Sequence, residues 1–122
     1  MALSVRSRWS PPVVVGTAIL VVSLLPVSAG GTATPVVPFG IDAWLHLAGY
    51  AVLSAGLARA LSMGGQSGLT GVGVAVLLAA GFGIGVELLQ TTVPARRFEL
   101  TDLAANAVGS IVGAAGWWTS GR

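Results

Sequence analysis

The sequence contains very little charge. Only 8% of its 122 residues are charged, whereas 54% are hydrophobic, and the mean hydropathy is +0.87. An average soluble domain is about 25% charged, so these few charges are not enough to cover the surface of a water-soluble globule. The composition therefore predicts an all-α integral membrane protein. At about 20 apolar residues for each spanning helix, the length fits one domain, residues 1–122, with about four transmembrane helices.

Other absences exclude further classes of function. There is no cysteine, which rules out disulfides and thiol chemistry and leaves the redox compartment undetermined. There is no lysine, and no run of arginines exceeds two residues, so no nucleic-acid partner is expected. One histidine and four carboxylates argue against a dedicated zinc site. From these counts we expect neither a metal nor a cofactor, and the oligomeric state stays undetermined.

Glycine and proline divide the chain into four hydrophobic segments. A polar arm over residues 1–10 precedes Pro11 and Pro12, which suit a helix start, and the first helix is predicted over about residues 11–29. Three more helices are predicted over residues 42–61, 69–90 and 101–118. An alternative interpretation of the first segment is a signal peptide cleaved after Ala29.

The positions of the arginines predict how the chain lies in the membrane. With a cytoplasmic amino terminus, four arginines fall inside and two fall outside, which agrees with the positive-inside rule. We therefore predict a multi-pass protein of the cell membrane with both termini in the cytoplasm. The inner group is Arg6, Arg8, Arg59 and Arg122, and the outer pair is Arg96 and Arg97.

Residues 85–113 hold three of the four acids and two of the six arginines. Polar residues there and on the second helix recur at helical spacing, so each set occupies one helix face. Burying a charge in a bilayer costs about 2.5–3.5 kcal/mol, which favours faces that meet one another. We predict one polar cluster, open to the outer side. Its stripes are Asp42, His46 and Tyr50; Glu87 and Gln90; and Asp102 and Asn106, with Arg96 in the turn between the last two helices.

Structural roles remain open for several of these residues. Asp42 and Asp102 fall in the first turns of their helices, where capping alone favours a carboxylate. Gln90 and Asn106 are also suited to bridging helices by hydrogen bonds, and Arg96 to anchoring at the interface. Glu87 differs because it lies near the negative pole of its helix, where an acid needs a partner.

Glycines at a spacing of four residues indicate close helix packing. The third helix has Gly81 and Gly85, and the fourth has Gly109 and Gly113. We expect these faces to bring the third and fourth helices together.

The order and spacing of these polar residues resemble the VanZ-like family of small membrane proteins, over about residues 40–116. The resemblance places the family's polar positions on the seven stripe residues named above and on Arg96. One departure is Ala43, where the family often has a lysine. The resemblance implies a role in the cell envelope, and the family name comes from a teicoplanin-resistance protein, which makes antibiotic tolerance a further expectation.

Three functions are compatible with these residues. The first is binding of a lipid-linked, glycan or peptide headgroup at the outer leaflet, where Arg96 would hold an anion. The second is an intramembrane enzyme acting on such a substrate, with His46 and either Glu87 or Asp102 as general acid and base. The third is a structural accessory subunit. The enzyme ranks below the binding protein because nothing marks a nucleophile as activated, including Ser54.

Overall fold

The computed structural model describes residues 5–24, 40–93 and 100–120, and the side chains of residues 7–24, 43–93 and 100–120. The described residues form four α-helices joined by a short loop or by segments outside the description. They are α1 (Val5–Leu24), α2 (Gly40–Met63), α3 (Gly68–Gln90) and α4 (Leu100–Ser120). The predicted all-α class with four helices is thus confirmed.

Helix α1 begins earlier than the sequence predicts. It starts at Val5 and contains Pro11 and Pro12, so the prediction of a polar arm ending at a proline start is wrong. Packing against α2 accounts for the difference. Pro12 lies 3.5 Å from the position of a Cβ atom added to Gly56, and the Arg8 guanidinium lies against Gly64. These contacts fix the first turns of α1 as helix, although proline weakens the hydrogen bonding there.

The helices alternate in direction. Along the pair α1 and α2, Gly16 lies near Leu53 and Gly49 lies near Ile19, so these two helices are antiparallel. Helix α3 reverses direction again after the loop of residues 64–67, and α4 runs parallel to α2. As a result, the start of α1 and the end of α4 share one end of the bundle. The opposite end, where α2 and α4 begin and α3 finishes, is called the polar end below.

The closest helix contact joins α2 to α4. A Cβ atom on Gly109 would overlap the carbonyl of Leu47, and one on Gly113 would overlap the carbonyl of Ala51. The glycines of α4 therefore allow its backbone to lie against α2, and the expectation that they face α3 is wrong. No described atom lies within 4 Å of a Cβ added to Gly85.

The exterior of the bundle is apolar. Large apolar side chains are exposed on all four helices, among them Val14, Leu45, Leu77 and Ile111, whereas several polar side chains are buried. Two helices are long and apolar enough to cross a membrane, over Ser7–Leu24 and Gly68–Gln90. Helices α2 and α4 have 24 and 21 residues and do not meet the same test over their described residues.

Candidate functional site

Three titratable side chains from three helices meet at the polar end. His46 comes from α2, Glu87 from α3 and Asp102 from α4. One ring nitrogen of His46 and one oxygen of each carboxylate all lie within 4.8 Å of one another. The antiparallel course of α3 brings its last turn level with the first turns of α2 and α4. Glu87 is 41 positions from His46 and 15 positions from Asp102 in the chain, yet the three side chains are neighbours in space.

The orientation of His46 is fixed by Asn106. The ring Nδ1 lies 2.8 Å from the Asn106 Oδ1, and since an amide oxygen only accepts hydrogen bonds, Nδ1 is the donor. The other nitrogen, Nε2, faces Asp102 and lies 3.7 Å from its Oδ2. That separation is longer than a direct hydrogen bond. The side chains of His46 and Asp102 are 12% and 14% exposed, so the cluster can be reached from outside the bundle.

Glu87 and Tyr50 lie on the inner side of the cluster, and both are fully buried. The Tyr50 ring stacks parallel to His46, with 6.2 Å between the ring centroids, and Tyr50 interacts electrostatically with Glu87. Its hydroxyl has no hydrogen-bond partner among the described residues, and neither has the amide nitrogen of Asn106. Buried polar atoms are nearly always paired in proteins, so this side of the cluster retains hydrogen-bonding capacity.

Gly83 allows α3 to approach the cluster. A Cβ atom there would lie 2.9 Å from the Asn106 Nδ2 and 3.2 Å from the ring of Tyr50. Sequence reasoning missed this glycine because three alternate glycines, Gly81, Gly83 and Gly85, give no sign of which one faces inward. Any larger residue at this position would displace Asn106, and with it the orientation of His46.

The other predicted site residues lie elsewhere or outside the description. Gln90 donates from Nε2 to the carbonyl of Ser23, at 3.0 Å, and so links α3 to α1 instead of joining the cluster. The backbone of Asp42 lies in the first turn of α2, but its side chain is outside the described residues. Arg96 is also outside them. The structure therefore brings together His46, Tyr50, Glu87, Asp102 and Asn106.

A second polar link joins α2 to α4, further from the polar end than the cluster. The Ser54 hydroxyl donates to the carbonyl of Ser110 at 2.6 Å, and the Ser110 hydroxyl donates to the carbonyl of Asn106 at 2.7 Å. Both serines are fully buried. The spacing of four residues from His46 to Tyr50 to Ser54 is the sequence signal for this link. Because its proton is engaged by a backbone carbonyl, Ser54 is a helix bridge and has no base to activate it.

An apolar groove lies between α2 and α4 at the same end of the bundle. Its volume is about 250 Å³. Its lining is formed by Ala43, Trp44, Leu47, Thr101, Ala104, Ala105 and Val108. Two carboxylates, an imidazole and a phenol beside an apolar groove can bind a polar group that has a hydrocarbon chain attached. They can also transfer a proton or coordinate a cation.

Comparison with protein-family models identifies the family of the chain. The model of the VanZ/LLP1 family matches residues 21–120, which is most of the chain and includes every residue of the cluster. No curated protein and no solved structure matches the chain.

Proposed function

Since the chain belongs to the VanZ/LLP1 family, we propose that it is a multi-pass protein of the cell membrane that binds a cell-envelope headgroup at its polar end. The headgroup is that of a lipid-linked molecule, with a glycan or a peptide attached. The observation behind this proposal is the convergence of His46, Glu87 and Asp102 inside a bundle with an apolar exterior.

The exterior of α2 and α4 supports four membrane crossings. Although these helices contain polar residues, the large side chains that they expose are apolar, as at Leu45, Val52, Val108 and Ile111. The buried polar residues of these helices, Ser54, Asn106 and Ser110, face the bundle interior, which is where membrane proteins place polar groups. Arg8, which lies against Gly64, and Arg59 in the last part of α2 are near the end opposite the cluster. By the positive-inside rule this supports termini in the cytoplasm and a polar end outside.

Reporter fusions test this topology. Fusions after Thr34 and Arg97 are expected to report an outside location, and fusions after Gln66 and Arg122 an inside location. Each fusion point follows a different predicted helix, in a predicted loop or at the carboxyl end. Its signal therefore reports on which side of the membrane that helix ends. An outside signal at Gln66 together with an inside signal at Arg97 would contradict the proposed orientation.

The accessible part of the cluster suits a headgroup. His46 and Asp102 are each partly exposed, while Glu87 is fully buried behind them. The exposed pair would bind hydroxyl, amide or amine groups of a glycan or peptide, and the groove between α2 and α4 would take an apolar chain. Arg96 lies six positions after the last residue of α3, Gln90, in the sequence and is the proposed partner of a phosphate.

Ligand titration tests the binding. The full chain in lipid nanodiscs is titrated with a polyprenyl diphosphate that has a glycan and peptide headgroup, with the intrinsic tryptophan fluorescence, to which Trp44 beside the groove contributes, as the signal. His46→Gln and Asp102→Asn are each expected to weaken binding at least tenfold, or about 1.4 kcal/mol. Arg59→Gln is the control, because Arg59 lies about 20 Å further along α2 at 1.5 Å per residue. Equal binding by all four proteins would refute the proposal.

An enzyme is the second candidate, and the geometry of His46 favours it. Its Nε2 faces Asp102 at 3.7 Å while Nδ1 is held by Asn106, which is an arrangement that can transfer a proton. Release of product from the same polyprenyl ligand would distinguish catalysis from binding. The third candidate, a structural subunit, has less support because Ser54 with Ser110 and Gln90 with Ser23 already link the helices.

The VanZ resemblance also extends the proposal to antibiotic tolerance. Comparing teicoplanin survival in cells expressing the wild-type chain and Asp102→Asn would test whether tolerance depends on the cluster.

A further inference from the structure

We propose that His46, Glu87 and Asp102 bind a divalent transition-metal cation, of the class of Zn²⁺ or Mn²⁺, at the polar end. Headgroup binding as proposed above needs no metal, so this inference goes beyond it. The small number of ligand-type residues offers no reason to expect a metal site, and it is the geometry that indicates one.

The spacing of the candidate ligand atoms suits a shared cation. They lie within 4.8 Å of one another, and the pair Nε2 of His46 and Oδ2 of Asp102 is 3.7 Å apart. Ligand atoms around a tetrahedral Zn²⁺, at about 2.0–2.1 Å from the metal, lie about 3.3 Å from one another. The 3.7 Å between Nε2 of His46 and Oδ2 of Asp102 is therefore too long for a direct hydrogen bond. It is slightly longer than the distance between two atoms that bind the same metal ion, and small side-chain rotations would close the difference.

Asn106 prepares His46 as a ligand. Metal-binding histidines usually donate their second N–H to an oxygen, which fixes the tautomer and the ring direction. Here Nδ1 donates to the Asn106 Oδ1 at 2.8 Å. That bond leaves the lone pair of Nε2 for a cation on the side of Asp102, whose Oδ2 lies 3.7 Å away.

The formal charges of the three side chains suit a divalent cation. Two carboxylates with a neutral imidazole have a formal charge of −2, which one divalent ion balances. Glu87 is fully buried and lies in the last turn of α3, where the helix dipole is negative. A cation held by both carboxylates offsets the repulsion between Glu87 and the negative end of the helix dipole. Its attraction to the carboxylates is stronger there because the local dielectric constant is low.

Tyr50 provides an independent observation. It is fully buried, stacks on His46, and its hydroxyl has no hydrogen-bond partner among the described residues. Tyr50 lies one helical turn further along α2 than His46, on the same face of the helix and next to Glu87. A metal-bound water beside the three ligands would give this hydroxyl its partner and complete a site with three protein ligands and one open position.

The donor set favours transition metals. Imidazole nitrogen binds Zn²⁺ and other late first-row ions well, whereas Mg²⁺ prefers oxygen ligands and keeps most of its water. We expect Zn²⁺ to bind more tightly than Mn²⁺, in the Irving–Williams order, and Mg²⁺ not to compete at equal concentration.

Metal titration of the full chain tests the site. Protein purified in detergent is treated with EDTA, dialysed, and titrated with Mn²⁺ followed by electron paramagnetic resonance, and with Zn²⁺ followed by elemental analysis. One ion per chain is expected. His46→Gln and Asp102→Asn should weaken Mn²⁺ binding at least tenfold, and Asn106→Ala should weaken it about 10–100-fold, as is usual for a residue that orients a ligand.

Controls keep the result interpretable. Arg59→Gln should bind as the wild type does, and circular dichroism with gel filtration should show that each variant is folded. His46→Gln and Asp102→Asn decide the matter because both positions are partly exposed, whereas Glu87→Gln changes a buried group. A Co²⁺ absorption spectrum that changes in His46→Gln would support direct ligation. Wild-type binding no higher than the detergent blank, or unchanged binding in His46→Gln, would overturn the proposal.

Discussion

The two halves of the bundle differ in the polarity of the interior between the same helices. In the half away from the polar end, small residues fill the interior. Ala58, Ala75 and Ala114 form one buried group, and Gly113 lies against the backbone of α2. At the polar end, the interior between α2, α3 and α4 contains Glu87, Asn106 and the partly exposed His46.

This contrast distinguishes residues that pack the helices from residues that serve a function beyond packing. Small residues let helix backbones approach and gain dispersion contacts, which is an economical way to hold helices together in a membrane. Charged side chains in the same place are costly, and a bundle that is already tied by glycine and alanine contacts has no structural need for three of them. The polar end is therefore the half in which a function beyond packing is expected.

The largest effect on stability is expected in the small-residue half. In Gly113→Ala the new methyl group would overlap the carbonyl of Ala51, a backbone atom that cannot rotate away. We expect a loss of about 3 kcal/mol, the upper part of the range for overpacking, measured by unfolding in mixed detergent micelles.

Gly116→Ala on the same helix is the matched control. No described atom lies within 4 Å of a Cβ there, and alanine favours a helix by about 1 kcal/mol over glycine. The control variant should be as stable as the wild type or slightly more stable. Equal behaviour of the two variants would mean that α2 and α4 do not pack through Gly113.

The same contrast explains what the sequence could predict. Periodicity identifies helices and the face on which residues lie, so the stripe of His46 with Tyr50 and that of Asp102 with Asn106 were recognisable. Periodicity does not say which neighbour a face meets. The glycines of α4 were therefore assigned to the wrong helix, although the spacing of Gly109 and Gly113 was correctly taken as a packing signal.

Local rules failed where tertiary packing decided the outcome. Proline normally marks a helix start, but Pro12 packs on Gly56 and lies inside α1. For Gln90 the sequence left a site role and a helix bridge open, and its amide bridges α3 to α1 through the carbonyl of Ser23. In both places the deciding information was the position of α1, which the polar pattern of the other helices does not contain.

A smaller effect on stability is expected at the polar end. Glutamine has the same shape as glutamate and keeps an oxygen acceptor, so Glu87→Gln should lower the free energy of unfolding by less than about 1 kcal/mol while ligand binding is lost. A different result is expected if Glu87 and Arg96 form a buried ion pair that only holds the helices together. Breaking a buried ion pair from either side would then cost about 3–5 kcal/mol, and the double variant would cost less than the sum of the two single changes.

Unfolding in mixed micelles, measured beside headgroup titration, distinguishes these outcomes. The set is Glu87→Gln, Arg96→Gln and their combination, with Glu99→Gln as a control that removes the same charge from the predicted turn. Because Gly113→Ala should lose stability and Glu87→Gln should lose mainly binding, the two halves are expected to respond in opposite ways. If Glu87→Gln loses as much stability as Gly113→Ala, and its binding falls only with its folded fraction, the polar end is a second packing region and its charges serve the fold.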